Sequence, residues 1–109
     1  MFEVQLTHPF GRPTLKLVGE LTIYTATEAR RTLWEALERD RPGDVDLGEV
    51  RELDTAGAQL LVWLKQEART ARRPLAYLNH NPAVVEVLDL LNLAGTLGDP
   101  ILMPPDGRD

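Results

Sequence analysis

The amino-acid sequence predicts a small α/β protein, a mixed β-sheet that opens with an antiparallel hairpin and carries three or more helices. Three observations lead there. Phe2, Val4 and Leu6 alternate with Glu3, Gln5 and Thr7, and Leu15 and Leu17 alternate again beyond a run of turn formers; a two-residue period marks a half-buried strand. Helical apolar spacing follows in three segments, 25–40, 55–72 and 82–94. Short apolar runs separate these segments, so the order reads β-β-α-β-α-β-α, with Ile101-Leu102-Met103 as a final edge strand. Right-handed crossovers through the first two helices would make strands two, three and four parallel.

The elements have local reasons. His8-Pro9-Phe10-Gly11-Arg12-Pro13 is dense in turn residues and joins the first two strands, the second reaching Gly19 and Leu21. Thr25 with Glu28 three residues on matches a capping box. The helix it opens would bury Ala26, Ala29, Leu33, Ala36 and Leu37, with Trp34 on the flank and Arg31, Glu35 and Arg39 paired on the wet side. Pro42-Gly43 stops it. Val45, Leu47, Val50 and Leu53 are the apolar members of the strand region 44–53, and Pro74 precedes the strand Leu75-Ala76-Tyr77-Leu78. Asn79-His80-Asn81-Pro82 is a turn whose proline suits the first position of the third helix. That helix would bury Val84, Val85, Val87, Leu88 and Leu91, whereas 104–109 is expected to fray as a tail behind a single domain, 1–103.

Composition limits the chemistry. The chain has 109 residues, 43% apolar and 27% charged, the make-up of one ordinary soluble domain. It has no cysteine, so disulfides, thiolate metal sites and cysteine nucleophiles are excluded. A net charge of −5 argues against nucleic-acid or anionic-membrane binding. Neither a basic leader nor an apolar run of about 18 residues occurs, so a cytoplasmic protein without membrane insertion is expected.

The stretch Glu52-Leu53-Asp54-Thr55-Ala56-Gly57-Ala58-Gln59-Leu60-Leu61 organises the rest, as a strand end, a tight turn and a helix start. Asp54 suits an N-cap, its carboxylate accepting from free N–H groups of the first turn. Gly57, Leu60, Leu61, Leu64, Ala68 and Ala71 share one apolar face, while Thr55, Gln59, Val62 and Gln66 fall opposite. A hydroxyl is thus presented at a helix N-terminus beside an exposed valine, at the carboxyl end of a strand, where open α/β sheets place their sites. Nothing else competes. His8 and His80 read as surface turn residues, and Asp44, Asp46 and Asp54 are too dispersed for a metal. There is no phosphate loop, nucleophile elbow or carboxylate pair, so no enzyme and no cofactor is expected. Trp34 and Trp63 read as core border. Receiver domains also place an aspartate at a strand end, but their acidic pair and late lysine have no counterpart in this chain.

Three segments in order resemble STAS domains, the sulfate-transporter and anti-sigma-factor-antagonist family. They are Gly19-Glu20-Leu21 before the Thr25 helix, Val45-Asp46-Leu47 with Leu53-Asp54-Thr55-Ala56-Gly57, and Pro82-Ala83-Val84 with Val87-Leu88 and Leu93. The resemblance spans almost the whole chain and implies an α/β, STAS-like (anti-sigma factor antagonist) fold. It further implies a non-enzymatic bacterial signalling module for transcription regulation. In such antagonists the residue after the signature aspartate is phosphorylated by a kinase-type anti-sigma factor, which makes Thr55 the phosphorylation position here. The docking surface it implies is Asp54, Thr55, Ala56, Gly57, Ala58, Gln59 and Val62. Antagonists usually carry serine at that position and a larger leucine at the position of Ala58. An Asp-Thr-small-Gly pattern is also similar to STAS subunits of lipid-asymmetry ABC transporters and to single-domain STAS proteins of chemosensory complexes. The alternative is therefore a constitutive subunit docking an ATPase without phosphorylation.

Overall fold

A computed structural model describes residues 1–92. Strand β1 (Phe2–Thr7) leads through a single 3-10 turn at Pro9–Gly11 into β2 (Thr14–Leu21). Helix α1 (Ala26–Asp40), strand β3 (Asp44–Leu53), helix α2 (Thr55–Thr70), strand β4 (Ala76–Leu78) and helix α3 (Pro82–Leu90) follow. The sheet order is β1-β2-β3-β4. Strands β1 and β2 pair antiparallel with Val4 opposite Leu17, and β2–β3 and β3–β4 pair parallel. The mixed sheet, its opening hairpin and the parallel crossovers are therefore as the sequence predicts. The expected strand 101–103, the helix end beyond residue 92 and the tail 104–109 lie outside the described residues.

One apolar cluster holds these layers together. Leu15, Leu17 and Leu21 of β2 and Val45, Leu47, Val50 and Leu53 of β3 meet Ala29, Leu33, Ala36 and Leu37 of α1 and Leu60, Leu61 and Leu64 of α2. Val84 and Leu88 of α3 join the same cluster, whereas Val85, Val87 and Leu91 are only half-buried, because a short helix packing one side sinks a narrower stripe. Gly19 marks a break in the β2–β3 register, at φ +114°, and a Cβ there would sit 2.0 Å from the carbonyl oxygen of Met1. Only glycine fits. Glu20, next to it, accepts from the amino group of Met1 and lies near Arg51; the amino group first, then the guanidinium, hold its carboxyl below the usual range.

Further expectations are corrected. Thr25 is the N-cap of α1 but makes no capping bond; its Oγ1 donates to the Glu20 carbonyl at 2.8 Å and accepts from the Thr22 amide at 3.0 Å. The hydroxyl closes the preceding turn, which leaves none for the helix. Arg39 forks onto its neighbour Asp40, at 3.0 and 2.9 Å, so of the expected helix-surface pairs the structure records Arg31–Glu35, at 3.8 Å. Ala71 is exposed, because α2 ends at Thr70 and the chain reverses through Arg72 at φ 59°. His80 is 1% exposed rather than a surface residue. The Asn81 side-chain amide beside it donates to the carbonyls of Leu47, Gly48 and Val50 at 3.2, 3.3 and 2.7 Å, which ties this turn down onto β3 and takes His80 under the surface.

Candidate functional site

Strand β3 delivers Asp54 to the sheet's carboxyl edge, and α2 starts one residue later. Asp54 has extended backbone and acts as N-cap: its Oδ1 accepts from the Gly57 amide at 3.0 Å. Its Oδ2 accepts from the Ile23 amide, across 31 positions of sequence, at 2.9 Å. Its own amide donates to the Leu21 carbonyl at 3.4 Å. One side chain thereby caps α2 and fastens the loop between β2 and α1. Both carboxylate oxygens have partners within the protein, so Asp54 shapes the site from below.

The other members divide by direction. Thr55, the first residue of α2, and Gln59, one turn on, are exposed, and Ala56 between them is half-buried. Gly57 and Ala58 do not reach the surface. Ala58 is 0% exposed, and a Cβ on Gly57 would lie 1.9 Å from the Leu21 carbonyl oxygen, so α2 can pass this close to the end of β2 only with glycine here. Val62 is half-buried against the core rather than exposed. At about 100° per residue it sits at the border of the wet face, where neighbouring side chains cover part of it.

Two features were not read from the sequence. Ile23 and Tyr24, in the loop that Asp54 fastens, are 67% and 95% exposed. The sheet-like pattern of β2 ends just before them, and no helical spacing includes them, so nothing local assigns them a face. The second is an aromatic pair: Trp34 of α1 and Trp63 of α2 lie 6.0 Å apart at 46°, and the Arg30 guanidinium stands 4.4 Å from the Trp63 centroid. The sequence placed Trp34 and Trp63 each at a core border; their pairing across the two helices, and Arg30 over Trp63, join distant positions that no local spacing encodes. Among the described residues no group of three acidic, histidine or cysteine side chains could hold a metal, and no helix is long and apolar enough to cross a membrane.

The chain is similar in fold to an anti-sigma factor antagonist from Mycobacterium paratuberculosis, with a TM-score of 0.71, 19% identity, and coverage of 96% of this chain and 86% of that one. It is similar to the Bacillus cell fate determinant SpoIIAA in its phosphorylated form, at TM-score 0.63, 16% identity, and 97% and 93% coverage. The unphosphorylated form of the anti-sigma factor antagonist SpoIIAA gives a TM-score of 0.60 at 16% identity, covering 95% and 87%. These identities speak for the fold. No curated protein matches at a significant level. A family model described as "Mlab, STAS domain" matches residues 4–103. With nearly the whole length matched, and with the hairpin, parallel crossovers and Asp54 turn in place, the chain belongs to the STAS domain family.

Proposed function

We propose that this STAS domain is a non-enzymatic signalling switch that docks a kinase-type anti-sigma factor or a related ATPase partner through the start of α2, under control of phosphorylation at Thr55. The observation that carries this is the geometry around Asp54. Thr55 is exposed at the first position of α2, while each oxygen of its neighbour's carboxylate accepts from a backbone amide, Gly57 on one and Ile23 on the other. The docking face comprises Thr55, Ala56, Gln59 and the exposed edge of Val62, with Ile23 and Tyr24 beside them as apolar anchors. Asp54, Gly57 and Ala58 hold that face in place from beneath. A phosphate on Thr55 adds a charge of about −1.5 to −2, which the helix N-terminus tolerates in the free protein and an apolar interface does not.

The second reading, a constitutive subunit on an ABC-type ATPase or in a chemosensory complex, is supported by the Asp-Thr-small-Gly pattern at Asp54-Thr55-Ala56-Gly57. Both readings share the face and differ in the modification. The test is to isolate the native protein with its partner and to map phosphate by mass spectrometry. Phosphorylation at Thr55 and a histidine-kinase-like ATPase in the complex support the switch. An ABC ATPase with unmodified Thr55, also after incubation with ATP, supports the constitutive subunit and rejects the switch.

A further inference from the structure

Beside the Thr55 face a groove runs between α1 and α2. It consists of two adjoining hollows of about 420 and 380 Å³ that share Thr27, Arg30 and Trp63. The inner hollow is bounded by Ala56 and Gln59, so it opens next to the proposed docking face; the outer one continues past Trp34 and Arg31 to Glu67. Its charge is opposite to that of the molecule. On a chain of net charge −5, two guanidinium groups line the groove against the single carboxylate of Glu67. The pairing of Arg31 with Glu35, at 3.8 Å between exposed side chains, is too weak to withhold Arg31 from a ligand. Arg30 is held over Trp63, which pre-orients its planar fork.

We infer that this groove is a second docking surface, for an acidic segment of the protein partner in which carboxylates alternate with apolar side chains. It rests on the reading of the chain as a protein-binding module, but not on phosphorylation of Thr55. Arginine and tryptophan together are the residues on which binding energy concentrates at interfaces. The carboxylates meet Arg30 and Arg31, and the apolar side chains cover the tilted faces of Trp34 and Trp63. The groove is open along its length, whereas small-molecule sites enclose most of their ligand, so an extended or helical segment fits and a compact ligand does not.

The chain supplies its own reporter, since Trp34 and Trp63 are its two tryptophans. The probe is a synthetic amphipathic peptide built from glutamate and leucine, without aromatic residues, titrated into the full chain while tryptophan emission is followed. A counterpart with lysine in place of every glutamate is the control. A saturable emission change with the glutamate peptide, weakened by salt and absent with the lysine peptide, is the expected result. The double variant Arg30→Glu, Arg31→Glu should weaken that binding roughly tenfold or more, with unchanged circular dichroism. Equal responses to both peptides, no response to the glutamate peptide, or an undiminished response in the double variant would each overturn the groove. Thr55→Glu should weaken the native partner, while the glutamate peptide still binds saturably and loses far less than in the double variant. A failed peptide titration with an intact Thr55 effect therefore removes the groove alone, and the converse removes the Thr55 reading alone.

Discussion

Asp54 does two jobs with one carboxylate, and the two bonds can be followed separately at the amides that donate them. Loss of both bonds in Asp54→Ala removes an N-cap, which costs about 0.5–2 kcal/mol, and also frees the Ile23 amide. Chemical denaturation should place this variant toward or beyond the upper end of that range. Its amide exchange should rise at Ile23 as well as at Gly57. Protection lost only at Gly57 would mean that the loop is held by other contacts. Gly57→Ala should be worse, because the added methyl meets backbone, which cannot rotate away; a loss of about 2 kcal/mol or more is expected from overpacking at such a contact. The capping role of Asp54 and the exposure of Thr55 were legible because both follow from spacing within a single turn. The bond to Ile23 and the close approach of Gly57 to Leu21 join distant parts of the chain, and no local pattern encodes them.

Helix α2 is the element on which structure and proposed function divide. Leu61 is fully buried, and Leu61→Ala should cost roughly 2–5 kcal/mol in urea unfolding. Gln59→Ala, on the exposed face, should stay within about 0.5 kcal/mol. Val62→Ala should fall between them, because Val62 packs against the core from the helix border. If Gln59 proved as costly as Leu61, the two faces would be misassigned. The i, i+3, i+4 spacing located most of this core stripe, including Leu60, Leu64 and Ala68. It missed Ala58 and Lys65, which are buried on the flank where α2 meets its neighbours. Periodicity gives the direction of a buried stripe but not its width, which the packed elements set. The same holds for α1, where the spacing placed Trp34 at a border but could not reveal Trp63 across from it.

For the molecule as a whole, the opening antiparallel hairpin and the parallel pairing of strands two to four were legible because hairpins and crossover connections leave few alternatives. The exposed loop of Ile23 and Tyr24 was not, and it enlarges the proposed docking face beyond one helix. That separation of a rigid core from an exposed rim leads to the prediction that tests the proposal most directly. Thr55 makes no contribution to the apolar cluster, so Thr55→Glu should fold like the wild type. A carboxylate in the first turn of a helix is favourable by about 0.3–1 kcal/mol. For a domain of this size that moves the melting midpoint up by no more than about 8 °C, or not at all if repulsion from Asp54 cancels it. Binding to the isolated partner should move the other way. A charge introduced among Ile23, Tyr24 and Val62 loses its water without gaining a counter-ion, and a tenfold or greater weakening, about 1.4 kcal/mol, is expected by calorimetric titration. Thr55→Ala should bind close to wild type and accept no phosphate at that position. If Thr55→Glu instead melted well below the wild type, weakened binding would reflect damage to α2, and the face would have to be probed with Gln59→Glu. Normal melting with undiminished binding would remove Thr55 from the interface altogether.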